Sequence, residues 1–492
     1  MKLPYQCIEV ADRSIDSGNE WLLFGASGSK LIVQSSTGVQ SVWPAEEDEV
    51  RHINRDDEPE EPPGKRVKLS PAANPELNVS CVTLSSDKQY LVAVTAEDKC
   101  IRVFQINSEY QLHELSQRCM ARRPCSIILT PDDSTILCAD KFGDVYSLPL
   151  LPSPDDEEIE TPQNEQTEPV VEKPYAPAAS LLTVHSGRNR KTLEEQLKQA
   201  SKGPSKPKEP LKFKHELLLG HVSMLTDILY ATVDDRSYVL TADRDEHIRI
   251  SRGLPQAHII EGFCLGHEDF VSRLCLSQSG LLVSGGGDAS LLVWDWFNNQ
   301  LIERLPIRDS ALSYFESNPQ LTSILPEDRK NFKVAVRGIW DLASGETTKY
   351  EILVACEGIP ALFQFTLGDR SKPGAVISLN GNALDVAFLG SSENTRKMIV
   401  VSVDNVHKPG STTAVRDSPH RLQCFSRQGN GEWEENSGVA QSLDWFSRQA
   451  PDGNDNAYAE SNSIASDTKD LAAVRAILYG LENLRKRPGA ED

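Results

Sequence analysis

The chain has 492 residues, a formal charge of −21 and 39% hydrophobic residues. It has no apolar run of about 18 residues and no signal-peptide pattern at its N-terminus, so a membrane-spanning helix and a secretory leader are excluded from the expectations. We expect a soluble, intracellular protein with a sizeable hydrophobic core.

Residues 1–43 contain four strand-like runs, which predict one four-stranded unit. The first run, residues 6–10, is a candidate for closing a ring of such units against the last one. Residues 44–76 are rich in Pro, Glu and Asp and predict a disordered acidic insertion, because this composition cannot bury enough apolar surface to pack a core.

A short basic cluster lies inside this insertion, directly after Pro-Pro-Gly: Lys65, Arg66 and Lys68. In an extended and exposed segment it resembles a monopartite nuclear localisation signal, which predicts a nuclear protein. The alternative is that these residues are solvated charges that balance an acidic loop.

Residues 77–151 predict two further four-stranded units, and residues 152–213 a second disordered insertion. Its first half is acidic, and its second half is basic. The basic half either follows an RNA backbone or is a solvated linker. The acidic stretches 44–62 and 155–172 together carry −15 of the net charge of −21, so the net charge says little about the folded surface.

Residues 214–446 predict four more units, and two of them begin with the same dipeptide. Gly220-His221 and Gly266-His267 are separated by roughly the 40–45-residue period of a WD-repeat blade. Together with the preceding units they predict an all-β, seven-bladed WD-repeat β-propeller with disordered insertions and a C-terminal helix. The domain order is blade one at 1–43, blades two and three at 77–151, and blades four to seven at 214–446.

The fifth blade has four polar side chains at offsets typical of a buried hydrogen-bond chain. Asp288 in a turn is expected to orient His267, with Ser284 and the Trp294 indole as further partners. Buried polar groups persist only when they are hydrogen-bonded. We therefore interpret His267 and Asp288 as structural residues and not as a catalytic dyad.

Residues 447–492 predict a polar tail followed by an amphipathic helix, because Leu471, Val474, Leu478 and Leu481 recur at helical spacing. This helix either packs on the propeller or docks a partner.

No pattern in the chain is typical of an active site. The GxGxxG, Walker and GxSxG motifs are absent, and so are the βαβ units that a cofactor-binding methyltransferase needs. The ten cysteines lack CxxC spacing and predict small buried side chains in a reducing compartment. We expect no catalytic residue, no bound cofactor and no metal site.

Two turns in blades three and four carry related charges, an Asp followed by a basic residue at the same place after an alanine. Such turns are usually solvated, but the repetition on adjacent blades favours a charged docking site. The predicted partner-binding residues all lie in these two turns: Asp140, Lys141, Asp243, Arg244, Asp245, Glu246 and His247.

Four motifs carry a resemblance to a known family: ADKFGDVY at 139–146, LLGHVSMLTDI at 218–228, TADRDEHIRIS at 241–251 and CLGHEDFVS at 264–272. They resemble the non-catalytic WD-repeat subunit of the eukaryotic tRNA (guanine-N7-)-methyltransferase. The resemblance covers blades three to five closely and the remaining blades by architecture. The acidic part of the second insertion, 152–187, matches no pattern of the family.

This resemblance implies a heterodimer with a catalytic subunit that binds S-adenosylmethionine and methylates N7 of a guanine in the tRNA variable loop. The present chain would hold that subunit in its active conformation and help to position the tRNA. The alternative is an unrelated propeller adaptor, such as a substrate receptor of a ubiquitin ligase or a chromatin scaffold.

Overall fold

The computed structural model of the protein describes residues 3–15, 18–44, 77–152, 213–342, 349–368, 375–389, 398–416, 418, 420–429, 431–449 and 464–486. The basic cluster Lys65, Arg66 and Lys68 and almost all of both insertions lie outside these ranges. Residues 1–151 and 215–492 belong to one compact unit, and residues 152–214, nearly all outside the described ranges, form another.

The described residues of the larger unit contain seven antiparallel sheets of four strands each. Blade one comprises β1 (Cys7–Ile15), β2 (Gly18–Ser27), β3 (Lys30–Ser35) and β4 (Gln40–Trp43). Blade two comprises β5 (Val79–Leu84), β6 (Tyr90–Thr95), β7 (Cys100–Ile106) and β8 (Leu112–Cys119). Blade three comprises β9 (Pro124–Leu129), β10 (Thr135–Asp140), β11 (Asp144–Pro149) and β12 (Glu216–Gly220). Blade four comprises β13 (Leu225–Val233), β14 (Arg236–Asp243), β15 (Ile248–Arg252) and β16 (Ile260–Cys264).

The last three blades follow in the same order along the chain. Blade five comprises β17 (Val271–Leu276), β18 (Leu282–Gly286), β19 (Leu291–Asp295) and β20 (Gln300–Leu305). Blade six comprises β21 (Val336–Leu342), β22 (Glu351–Cys356), β23 (Ala361–Thr366) and β24 (Ala375–Ser378). Blade seven comprises β25 (Ala383–Leu389), β26 (Met398–Val403), β27 (Leu422–Arg427) and β28 (Trp433–Glu435).

In the described ranges, helical segments lie in the connection between blades five and six and in the region after blade seven. They are α1 (Ile307–Ser317), α2 (Pro319–Thr322), α3 (Ser437–Gln449), α4 (Ile464–Leu478) and the 3₁₀ turns Arg329–Asn331 and Leu481–Leu484. Within the described ranges, no helix has the length and apolar character needed to cross a membrane.

The strand sequences reflect how each strand is covered. Strand β22 is buried at all six positions, because the second strand of a blade lies between the faces of two neighbouring blades. Strand β8, at the outer edge of blade two, alternates between exposed and partly buried residues. Continuous apolar runs therefore predict the inner strands better than the outer ones.

The first strands of the seven blades form the inner ring, in the order β1, β5, β9, β13, β17, β21, β25 and back to β1. The sequence prediction of a seven-bladed β-propeller is confirmed. Each blade is built from its own consecutive strands, and no blade borrows a strand from the other end of the chain.

Ring closure between blades one and seven therefore depends on side-chain and loop contacts. The backbone N–H of Ile8 donates to Asp385 at 2.8 Å, and Arg421 donates to the carbonyl of Leu3 at 3.1 Å. Apolar side chains of both blades, including Tyr5 and Leu23, share one buried cluster with residues of α3. The run at residues 6–10 thus packs against blade seven, but as the inner strand of its own blade.

Blade three is interrupted by the second insertion. Its outer strand β12 follows the insertion and pairs with β11, with Asp144 opposite Gly220. The sequence analysis predicted that this strand belongs to the start of blade four, and that prediction is wrong. The difference arises because a long loop between two paired strands adds little closure cost, so an insertion need not coincide with a blade boundary.

Two of the ten cysteines do not fit the expectation of isolated buried thiols. Cys100 and Cys119 lie opposite each other on β7 and β8 and form a disulfide. The other eight are not part of a disulfide, and five of them are buried. Sequence spacing gave no sign of this pair, because the strand register, not a CxxC motif, brings the two sulfur atoms together.

One face of the propeller collects the turns between second and third strands and the loops between blades. We call it the rim face. Its second-to-third-strand turns in blades two to six are residues 96–99, 141–143, 244–247, 287–290 and 357–360. Because neighbouring strands are antiparallel, the first-to-second-strand turns lie on the opposite face.

Candidate partner-docking surface

The four polar residues predicted for blade five lie together in one hydrogen-bond chain. His267 Nδ1 donates to Asp288 at 2.6 Å, and Ser284 Oγ lies 2.7 Å from His267 Nε2. The Trp294 indole N–H donates to Ser284 Oγ at 2.8 Å. Both ring nitrogens of His267 and the Trp294 N–H therefore have a hydrogen-bond partner within the blade. The arrangement ties the turn to the third strand and leaves no group free for chemistry.

Blade four repeats this arrangement with different residues. His221 Nδ1 lies 3.1 Å from Asp243, and its Nε2 lies 2.8 Å from Thr241 Oγ1. The other carboxylate oxygen of Asp243 accepts the backbone N–H groups of Asp245 at 2.9 Å and His247 at 3.0 Å. The repeated Gly-His dipeptide was the available sequence signal for this second chain.

This placement corrects the expectation that Asp243 binds a partner. The side chain is buried, and both of its carboxylate oxygens already take part in hydrogen bonds within blade four. Burial by itself raises the pKa of Asp243, but the hydrogen bonds from His221 and from the His247 backbone outweigh it, and the pKa is lowered. Asp243 is an ionised structural residue of the turn.

Asp140, at the equivalent turn of blade three, is also buried. Its Oδ1 accepts the backbone N–H groups of Phe142 at 2.7 Å and Asp144 at 3.1 Å. It therefore shapes the turn that presents Lys141 and is not itself a surface group, which corrects its assignment as a contact residue.

Lys141 and its neighbours form an exposed cationic corner of the rim face. Partial burial lowers the pKa of Lys141, and the positive charge of Arg123 lowers it further. Phe142 is 60% exposed, with the Arg122 guanidinium 4.2 Å from the centre of its ring. An exposed aromatic ring beside several cations is suited to contact an acidic partner surface.

The remaining predicted residues of blade four contact the chain's own C-terminal end. Arg244 Nε donates to the carbonyl of Leu484 at 2.8 Å. Lys486 Nζ lies 2.9 Å from Glu246 and 3.6 Å from Asp245. These contacts join residues about 240 positions apart, and no local sequence pattern predicts them.

His247 is the last of the predicted residues. Its side chain is half exposed, with Nδ1 3.5 Å from Asp243 and its ring 6.5 Å from that of Phe263. Of the predicted residues, Lys141, Arg244, Asp245, Glu246 and His247 are at least partly exposed on the rim face, whereas Asp140 and Asp243 are buried.

Within the described ranges, one group of side chains has the spacing of metal ligands: Asp98, Cys100 and Cys119. The two sulfur atoms are bonded to each other, and Asp98 pairs with Arg102 at 2.8 Å. The donor atoms of this group are therefore already engaged.

Comparison with known families gives a match over most of the propeller. The family described as the tRNA methyltransferase TRM82 WD40 domain matches residues 23–425. That interval begins in blade one and ends in the third strand of blade seven.

Curated relatives match over the entire chain. The tRNA (guanine-N(7)-)-methyltransferase non-catalytic subunit TRM82 of Phaeosphaeria nodorum is 56% identical over 494 residues, covering 100% of both chains. The subunit of the same name from Aspergillus oryzae is 38% identical, covering 100% of this chain and 99% of its own length. A more distant one, from Debaryomyces hansenii, is 28% identical over 61% of this chain and 56% of its own.

Proposed function

The chain belongs to the tRNA methyltransferase TRM82 WD40 family, and from that premise we propose how it works as a scaffold. It is the non-catalytic subunit of a tRNA (guanine-N7-)-methyltransferase. The observation that carries this conclusion is the 56% identity to such a subunit over the full length of both chains. This similarity favours the methyltransferase scaffold over the unrelated propeller adaptor.

We propose that the chain forms a heterodimer with the catalytic subunit. That partner, and not this chain, would bind S-adenosylmethionine and transfer the methyl group to N7 of a guanine in the tRNA variable loop. The scaffold would bind the active conformation of the partner more tightly than its other conformations, and the difference in affinity would shift the population towards the active one. The tRNA would be positioned through the assembled complex.

The charged part of the rim face is the proposed docking surface for the catalytic subunit. Lys141 is exposed there, and the terminal Nη atoms of Arg244 make no hydrogen bond or ion pair within the described ranges. Because Nε is engaged, the edge formed by the two Nη groups is the one that can bind a carboxylate through two parallel hydrogen bonds. We therefore propose that acidic side chains of the catalytic subunit contact these two cations.

Reconstitution tests the scaffold role directly. The catalytic subunit would be expressed alone and together with this chain, purified, and assayed with unmodified tRNA for N7-methylguanosine. The expected result is a one-to-one complex with much higher activity than the catalytic subunit alone. Equal activity with and without this chain, or failure of the two proteins to co-purify, would contradict the proposal.

A further prediction concerns location in the cell. Changing Lys65, Arg66 and Lys68 to Ala should move a fluorescently tagged protein from the nucleus to the cytoplasm, because the triple change removes the basic cluster that import receptors recognise. The matched control changes Lys198, Lys202 and Lys206 of the second insertion to Ala. Unchanged nuclear accumulation of the first variant would show that import depends on another segment or on the partner.

A further inference from the structure

The C-terminal end of the described chain crosses the rim face over four blades. We call residues 478–486 the C-terminal clasp. It begins at the end of α4 and includes the 3₁₀ turn Leu481–Leu484. Its first residues contact the rim loops of blades seven and six, and its last residues, 484–486, contact those of blades five and four.

The first part of the clasp is anchored in blades six and seven. Tyr479 is buried, donates its hydroxyl to the Asp404 carboxylate and accepts the Asn382 amide at 2.9 Å. Burial and the nearby Asp404 charge raise the pKa of Tyr479, so it stays a hydrogen-bond donor. Glu357 accepts the backbone N–H groups of Gly480 and Leu481, each at 3.0 Å. The buried Tyr479 contacts and the two hydrogen bonds to Glu357 make the clasp a fixed part of the fold.

Arg485 extends the anchor to blade five. Its guanidinium donates to Asp269, to the carbonyl of Gly287 at 2.8 Å and to the carbonyl of Val334, and it lies 5.4 Å from the Phe270 ring centre. Three contacts to separate loops fix the backbone around Arg485 in place. The neighbouring Leu484 carbonyl and the Lys486 side chain are consequently held over blade four.

The end of the clasp contacts the turn that carries Arg244. The Leu484 carbonyl accepts the hydrogen bond from Nε of Arg244, and neither Nη atom takes part in that bond. Lys486 pairs with Glu246 and Asp245, and the hydrogen bond with Glu246 raises the pKa of Lys486. Lys486 thereby offsets two carboxylates that would otherwise repel an acidic partner and compete for Arg244.

We propose that the C-terminal clasp is a positioning element of the docking surface. It holds the Arg244 guanidinium in one orientation and neutralises the acidic residues beside it, so that Arg244 meets a carboxylate of the catalytic subunit. This inference rests on the proposed function, because it takes the Arg244 turn as the contact site. Ordering a long side chain before binding lowers the entropic cost of forming the contact.

A double-mutant cycle separates positioning from other roles. The full chain and a variant ending at Asn483 would each be prepared with Arg244 and with Arg244→Ala, and binding to the purified catalytic subunit would be measured. We expect the truncation to weaken binding about tenfold with Arg244 present and less than about twofold with Arg244→Ala, because contacting residues show non-additive effects. A variant ending at Lys486 is the matched control and should bind like the full chain.

Each other outcome overturns the inference in an identifiable way. Tighter binding after truncation would mean that the clasp covers the site, and equal losses in both backgrounds would mean that it acts independently of Arg244. If Arg244→Ala does not weaken binding, the proposed docking site is wrong. If Arg244→Ala weakens binding but the truncation does not, only the proposed role of the clasp is wrong. If the truncated chain melts at a lower temperature, the cycle is repeated with Lys486→Glu in place of the truncation. This variant keeps Leu484 and Arg485.

Discussion

Replacing Arg244 by Glu is expected to prevent capture of the catalytic subunit while leaving the propeller folded. The substitution removes the donor to Leu484 and places a third carboxylate beside Asp245 and Glu246. Losing one member of a desolvated interface pair costs about 2–5 kcal/mol, which corresponds to roughly 30- to 5,000-fold weaker binding. Adding Lys141→Glu should weaken binding further, because it reverses the second cation of the same surface.

The measurement combines a pull-down with the purified partner, a thermal melt and the N7-methylguanosine content of tRNA. Arg236→Glu is the matched control, since Arg236 is an exposed arginine of the same blade at the start of β14, next to the first-to-second-strand turn on the opposite face. It changes the charge equally and should bind normally. Full binding and full methylation by the Arg244→Glu, Lys141→Glu double variant would exclude this part of the rim face as the interface.

Breaking the hydrogen-bond chain of blade five should have the largest effect on stability. Ser284→Ala leaves both His267 Nε2 and the Trp294 N–H without their common partner in a buried environment. An unsatisfied buried polar group costs about 1–3 kcal/mol, so the loss for two groups lies near the upper end of that range or above it. His267→Ala and Asp288→Ala each remove one end of the chain and should cost about 1–3 kcal/mol.

Chemical denaturation of the purified variants measures these losses. His113→Ala is a suitable control, since His113 lies exposed on the outer strand of blade two. It should change the unfolding free energy by less than about 0.5 kcal/mol. A His267 or Asp288 variant that is as stable as the parent protein, yet fails to support methylation, would show that these residues have a functional role instead.

The parts of the structure that could be predicted from sequence are those determined within one blade. His267, Ser284, Asp288 and Trp294 belong to one short segment, so their spacing alone indicates that they meet. In blade four the sequence analysis predicted that Asp243 is a surface residue, but the residue is buried. The carboxylate two residues after Thr241 takes the place that a residue four positions after Ser284 takes in blade five, and the side-chain hydrogen bonds of the two histidines show this.

The parts that could not be predicted depend on contacts between distant segments. Arg244 and Leu484 are 240 positions apart, and no sequence pattern links them. The Cys100–Cys119 disulfide is an exception within one blade, because the pairing of β7 with β8, and not a cysteine motif, brings the two sulfur atoms together. The helical spacing of Leu471, Val474 and Leu478 predicted that α4 exists, and the burial of Leu478 against Leu384 agrees with the packed alternative. The path of the clasp beyond α4 depends on hydrogen-bond partners in the rim loops of four blades. These partners are far apart in the sequence, so the path could not be predicted from it.

The closure of the ring without a shared strand has a consequence for synthesis of the protein. Blade one is complete at Trp43, whereas blade seven begins at Ala383. At about 5–20 residues per second, the ribosome needs on the order of tens of seconds to reach blade seven. During that interval the flank of blade one formed by Tyr5, Ile8 and Leu23 has no neighbour to cover it. The nascent chain therefore carries an open apolar edge through most of translation, and this is the period in which it is most exposed to aggregation.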